Sequence, residues 1–161
     1  MSSPRSLLVS SHLWSATLDA FRPYSRRGVE AGCFWYGTRN DDFALASSVA
    51  IPQQINRRQN FHIPADSLAE MTQAACASGL VAVAQIHTHP STDVRHSPWD
   101  DAQIVSQNVW SVVLPNYGRQ PLNFCDLGVH RFGDGRWARL TADEVNRTLL
   151  VQPLVVDTRE I

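Results

Sequence analysis

The stretch His87-Thr88-His89-Pro90-Ser91-Thr92-Asp93-Val94-Arg95-His96-Ser97-Pro98-Trp99-Asp100 gathers imidazoles, carboxylates and hydroxyls at the end of an apolar run. His87 and His89 are two positions apart. At a strand end, side chains with that spacing point to the same side, so both imidazoles can share one ion. Neutral imidazole nitrogens suit zinc, which they bind at roughly 2.0–2.1 Å. Asp100 falls in the first turn of the helix expected next, and a loop of this length can bring that turn back to the strand end. Its carboxylate would be a third ligand. Three protein ligands with a fourth position left to water is the pattern of catalytic zinc rather than structural zinc. Each part also has a plainer reading. An H-x-H pair by itself is common, and Ser97 with Asp100 fits an S-x-x-D capping box at a helix start. Ser97 can cap the helix and face the site at once, but the two readings compete for the Asp100 carboxylate.

The combination is more specific than its parts. H-x-H, then seven residues, then S-x-x-D resembles the signature of the JAMM (MPN+) metallopeptidases. That family also has a glutamate upstream, and Glu30-Ala31-Gly32-Cys33-Phe34-Trp35-Tyr36-Gly37 is similar to its E-x-x-G-x-x-x-G segment. Gly37 is in register; the inner glycine falls one place early, at Gly32, with Cys33 in the usual slot. The resemblance spans about residues 30 to 114. It implies a cytidine-deaminase-like α/β domain with a mixed, curved β-sheet flanked by helices. It further implies zinc held by His87, His89 and Asp100, with Glu30 as general base and acid and Ser97 as donor to the oxyanion.

The resemblance also implies a substrate: the C-terminal tail of a ubiquitin-like protein, cut from a precursor or a conjugate. The EAGCFWYG segment is similar to stand-alone bacterial members encoded beside E1-like and E2-like partner proteins in conjugation systems, some of them antiviral. Processing of a sulfur-carrier protein is the same chemistry in another setting. A non-catalytic MPN scaffold is disfavoured because the ligand set is intact. A DNA-repair-associated relative is disfavoured by the lack of a basic face.

The elements that must position these groups follow from periodicity and punctuation. Residues 10–21 carry Leu13, Ala16, Thr17, Ala20 and Phe21 at amphipathic-helix spacing, ended by Pro23. Residues 32–38 and 43–51 read as a hairpin around Asn40-Asp41-Asp42, and 53–60 as a polar loop before a short strand at 61–63. A helix to about Ser78 opens with Asp66 as its cap and stops at Gly79. Residues 80–86 form a buried strand, 98–108 a helix with Pro98 at its first position, and 109–114 a second buried strand. Loop residues 116–121, with 53–60, are candidates to clamp a substrate. A hairpin at 124–132 and 136–140 turns at Gly133-Asp134-Gly135. A capping box of Thr141 and Glu144 then starts a short helix, and 151–156 is extended. No internal repeat or linker interrupts the sequence, so residues 1–161 read as a single α/β domain.

Composition limits the alternatives. Of 161 residues, 43% are hydrophobic and 18% charged, with a net charge of −1, which suits a globular chain. The absence of a basic block argues against a dedicated nucleic-acid or membrane-surface protein; Arg26-Arg27 and Arg57-Arg58 read as solvated edges. The N-terminus makes a poor signal peptide, and no run approaches the length of a membrane span, so a reducing cytoplasm is expected. Cys33, Cys76 and Cys125 form neither a disulfide framework nor a thiolate zinc site, and Cys33 and Cys76 are expected in the core. His12, His62 and His130 are expected to be structural or exposed. Asp93 and His96 either orient an imidazole or face solvent, and Asp101 favours the helix N-terminus by its charge. Trp35 and Tyr36 are expected to divide between core and substrate groove.

Overall fold

The computed structural model of the chain describes residues 4–103, 109–119 and 122–152. Ten strands and four α-helices follow one another as β1 (Ser6–Ser10), α1 (Ser11–Arg27), β2 (Gly32–Arg39), β3 (Phe43–Ala50), β4 (Ile55–Asn56), β5 (Phe61–His62), α2 (Ala65–Ala77), β6 (Val81–Thr88), α3 (Pro98–Gln103), β7 (Trp110–Leu114), β8 (Gly128–Gly133), β9 (Arg136–Arg139), α4 (Ala142–Thr148) and β10 (Leu149–Gln152). Eight strands form one mixed sheet in the order β10-β1-β3-β2-β6-β7-β8-β9, and β4 and β5 form a separate two-stranded ribbon. The fold is a mixed α/β sheet flanked by helices. No helix of the described residues is long and apolar enough to cross a membrane.

The two faces of the sheet differ in chemistry because side chains alternate along each strand. On one face Leu7, Val9, Cys33, Trp35, Ile86, Val112, Leu114 and Val129 meet Leu13 and Phe21 of α1 in a dry core. The indole N–H of Trp35 donates to the Thr17 hydroxyl at 2.8 Å, and Thr17 donates to the Leu13 carbonyl at 2.8 Å, whereas the buried Trp110 indole N–H of the same layer has no hydrogen-bond partner among the described residues. Burying side chains of this kind stabilises by about 1.5–3 kcal/mol each. The opposite face carries His87 on β6, Ser111 on β7 and His130 on β8.

Several expectations change here. Helix α1 does not end at Pro23. It continues to Arg27, because Phe21 and Ser25 are both buried on either side of the proline, and it closes at Gly28, whose φ of 64° is the left-handed conformation. Strand β1 lies in the apolar run 6–10. It pairs in parallel with β3 and β10, and Leu7 and Val9 alternate inward. The N-cap of α2 is Pro64 and makes no side-chain bond; Asp66 sits in the first turn. The polar loop 53–60 contains β4, which pairs with Phe61 and His62. Residues 124–126 form a 3₁₀ turn closed by reciprocal Asn123 and Asp126 bonds, so the hairpin strand starts at Gly128. Cys33 is buried but Cys76 is exposed, because α2 buries none of its side chains fully. Trp35 and Tyr36 are both buried, and the Tyr36 hydroxyl is 3.1 Å from that of Thr72 on α2. The Thr141–Glu144 capping box is present as expected. The far ends of the helix expected to reach 108, of the loop expected to reach 121 and of the extended run expected to reach 156 fall outside the described residues.

Candidate metal centre

Backbone pairing sets the first two elements of the site. Strands β2 and β6 are antiparallel, with Gly32 opposite His87. The ladder continues past that pair, since the Thr88 N–H donates to the Ala31 carbonyl at 3.0 Å. The Ala31 N–H in turn donates to the Thr88 hydroxyl at 3.1 Å. Glu30 and His89 are the next residues beyond this last bond, and both line the same cleft. Gly32 is required opposite His87: a Cβ would lie 2.5 Å from the Phe61 ring, which packs 5.9 Å from the His87 ring. Cys33 points to the other face and is fully buried. Gly37 faces a harder constraint, since its Cβ would sit 1.8 Å from the Leu45 carbonyl oxygen.

His89 is held at both backbone groups. Its N–H donates to the Leu114 carbonyl at 2.8 Å and its carbonyl accepts from Tyr117 at 2.7 Å. The turn that supplies the Tyr117 N–H runs through three successive left-handed residues, Asn116 (φ 51°), Tyr117 (φ 58°) and Gly118 (φ 73°). Such conformations cost non-glycine residues free energy and persist where surroundings impose them. The Tyr117 hydroxyl donates to the Arg58 carbonyl at 3.1 Å, so the two loops expected to clamp a substrate are tied to each other.

Three potential ligands converge. The Nε2 atoms of His87 and His89 are 3.2 Å apart. One Asp100 oxygen is 3.4 Å from His87 Nε2 and the other is 3.2 Å from His89 Nε2. Tetrahedral zinc with bonds of about 2.0–2.1 Å sets its donor atoms about 3.3 Å apart; the edge between the two nitrogens suits such an ion, each imidazole has a different Asp100 oxygen at a similar distance, and one ligand atom from each of the three residues lies within 4.8 Å of the others. The proton inventory agrees. His89 donates its Nδ1–H to the Asp93 carbonyl at 2.8 Å, which leaves neutral His89 with an Nε2 lone pair facing an imidazole and a carboxylate. A cation between the two Nε2 atoms and the Asp100 carboxylate would satisfy the lone pairs that face one another there. His87, His89 and Asp100 form the group able to hold a metal among the described residues.

The competition foreseen for Asp100 does not arise, because one carboxylate serves both demands. Asp100 Oδ2 accepts from the Ser97 N–H at 2.6 Å and the Ser97 hydroxyl at 2.7 Å, and the Asp100 N–H donates back to Ser97 Oγ at 3.2 Å. The same carboxylate faces both imidazoles. Burial alone would raise its pKa, but the hydrogen bonds from His87, His89 and the Ser97 N–H hold it far below the usual carboxylate range. Burial depresses His87. Burial also works against the His89 cation, but hydrogen bonds to Asp100 and the Asp93 carbonyl outweigh it and raise that group.

Glu30 is 5% exposed. Burial pushes its carboxyl up to about 7, with His89 opposing and Asp100 assisting. Its backbone is fixed by the β4–β5 ribbon: its N–H donates to the Arg57 carbonyl at 2.8 Å, and its carbonyl accepts from the Asn56 side chain at 2.8 Å. Glu30, Gln59, His89, Ser97, Trp99 and Asp100 are among the residues lining one cleft of about 400 Å³. Trp35 and Tyr36 lie elsewhere.

Val94, Gly128 and the contact of His130 with the site escaped the sequence reading, whereas Asp93 and His96 were among its candidates for orienting an imidazole. Val94 is buried over Gly128, where a Cβ would come within 2.1 Å of the Val94 carbonyl oxygen. His96 faces Asp101 and Ser111 rather than solvent, and its ring stacks on that of His130 at 3.8 Å. His130 is therefore a buried neighbour of the site; burial, then His96 and His87, push its pKa down to about 3. Asp93 orients His89 through its backbone carbonyl, while its carboxylate pairs with Arg95. No periodicity marks these contacts, since they join separate strands and a loop. His12 and His62 are exposed as expected.

No family profile matches the chain. It is 28% identical over 141 residues, 84% of each chain, to a protein of Sinorhizobium fredii (strain NBRC 101917 / NGR234) called probable metalloprotease y4jG. The solution structure of protein DSY2949 from Desulfitobacterium hafniense superposes with a TM-score of 0.64 over 91% of this chain and 93% of that one, at 14% identity. That likeness is one of fold, and it places the chain among mixed α/β proteins.

Proposed function

We propose that the chain is a zinc-dependent peptidase of the JAMM type that hydrolyses the peptide or isopeptide bond after the C-terminal tail of a ubiquitin-like protein. The observation that carries the reading is the convergence of His87, His89 and Asp100 beside a buried glutamate. The similarity to a probable metalloprotease over most of the chain supports it. Zinc, when bound, supplies Lewis acidity that lowers the pKa of water to about 7 and polarises a carbonyl.

The chain's own residues do the rest. Glu30 binds no metal, so its carboxylate is free to take a proton from the attacking water and pass it to the leaving amine. Burial raises this carboxyl to about 7 in the metal-free protein, and a bound cation would favour its ionised, proton-accepting form. Ser97 donates its hydroxyl proton to Asp100. Turning that proton toward the cleft gives a donor for the developing oxyanion, and the Ser97 N–H to Asp100 bond keeps the helix capped meanwhile. The exposed indole of Trp99 and the side chain of Gln59 flank the cleft and offer contacts to an extended tail. E1-like and E2-like proteins are the partners that this substrate class implies.

The test is metal analysis of the purified protein together with cleavage of ubiquitin-like fusions encoded near its gene. About one zinc per chain and cleavage after the tail, abolished in Glu30→Gln with zinc retained, is the expected result. A Glu30→Gln variant that loses less than about 10²-fold in turnover would place the base elsewhere.

A further inference from the structure

Behind the three ligands lies a second chain of hydrogen bonds. His96 Nδ1 is 2.9 Å from Asp101 Oδ1, and His96 Nε2 is 2.8 Å from Ser111 Oγ. Asp101 is on α3, next to Asp100; Ser111 is on β7, beside the strand that carries His87. The spacing is that of an Asp-His-Ser relay, but Ser111 is fully buried and no substrate carbonyl can reach it. The nucleophile reading therefore fails on access, and the relay has to be explained by what it holds in place.

What it holds is α3. This helix is short, and its first turn carries both Asp100 and the cap that Asp100 completes. The capping box fixes Asp100 relative to Ser97 only. It does not fix either residue relative to the sheet that carries the histidines. His96 supplies that link. Its side chain is 5% exposed and is gripped on its faces by His130 at 3.8 Å and on an edge by Trp137 at 5.4 Å. A carboxylate only accepts, so Nδ1 donates to Asp101 and Nε2 accepts from the Ser111 hydroxyl; one neutral tautomer satisfies both.

We infer that His96 is a positioning residue: by bridging Asp101 to Ser111 it sets the distance of the Asp100 carboxylate from His87 and His89 and so tunes metal affinity without touching the ion. The inference rests on the metal-centre reading. Outer partners of this kind typically change metal affinity by about 10–100-fold when lost.

The experiment measures zinc affinity by chelator competition, and the visible bands of the cobalt-loaded protein, whose intensity follows coordination geometry. The set is wild type, His96→Leu, His96→Asn, Asp101→Asn, Ser111→Ala and the double variant His96→Leu/Asp101→Asn. Asp101 is half exposed, so its variant folds even if changes at His96 do not. His96→Leu and Asp101→Asn are each expected to weaken zinc by at least about 10-fold, with altered cobalt bands. The double variant should be no weaker than the worse single, as expected of two groups in one network. Asparagine, whose amide nitrogen can mimic Nδ1–H, should recover part of the loss. Asp101→Asn binding zinc within twofold of wild type with unchanged bands, or fully additive losses in the double variant, would overturn the inference. A wild type that binds no zinc or cobalt would instead remove the metal centre itself, and the inference with it.

Discussion

Strand β6 has two unlike faces. Toward α1 it presents Ala84, Ile86 and Thr88 to a core in which almost every contact is apolar. Toward the cleft it presents Gln85 and His87, continued by His89, among groups that each need a partner of defined charge. Both faces are buried, so burial alone does not distinguish them. The difference lies in what satisfies them. The core face is apolar and completed within the chain, apart from the Trp110 indole N–H, which has no hydrogen-bond partner among the described residues. The other face leaves a carboxylate and two imidazoles aimed at one point, with Glu30 pushed toward neutrality beside them. A buried layer that is finished needs only volume; one that is unfinished needs a ligand.

Substitutions on the two faces should therefore fail differently. The largest effect is expected for His89→Ala, which removes a ligand: metal content should fall from about one per chain to near zero with secondary structure retained, read by metal analysis and circular dichroism. Unchanged stoichiometric metal would refute the ligand assignment. Next is Glu30→Gln, expected to keep the metal and lose about 10²–10⁴-fold in kcat; a smaller loss would make Glu30 a bystander. Ile86→Ala, one residue from His87 on the core face, should cost about 2–5 kcal/mol of stability in denaturant unfolding while the folded fraction still binds metal.

The smallest effect is a slope. In the metal-free protein Glu30 binds its proton up to about pH 7, whereas its unfolded value is 4.5. Between those values the folded state holds a proton the unfolded state has lost, so this group's contribution to stability falls as pH rises. Glu30→Gln removes that slope. Its melting temperature should gain on that of wild type from about pH 4.5 to 7 and then run parallel. Because a nearby cation favours the carboxylate, zinc should shrink the difference. Melting curves whose separation does not change with pH would mean Glu30 is not desolvated.

The same contrast explains what was legible in the sequence. Aromatic and apolar runs bounded by turn residues marked the hairpin of β2 and β3 and the buried strands β6 and β7, because a strand buried on both faces reads as a near-continuous apolar stretch. The metal-ligand spacing was legible because H-x-H and S-x-x-D encode local geometry, two residues on a strand end and one turn of a helix. Proline misled at position 23, where burial of Phe21 and Ser25 overrode the missing N–H, and the true stop was Gly28. Strand β1 went unread because five residues carry little signal until parallel partners from residues 43–46 and 149–152 flank it. The contacts of His96 and His130, and of Val94 with Gly128, join segments far apart in sequence, so no local pattern announces them.

The bond from the Thr88 N–H to the Ala31 carbonyl has a further consequence. It anchors the backbone one residue away from both Glu30 and His89, so their mutual placement starts from a peptide ladder rather than from loops. On the proposed mechanism, the loops around the cleft could change in sequence without shifting that anchor.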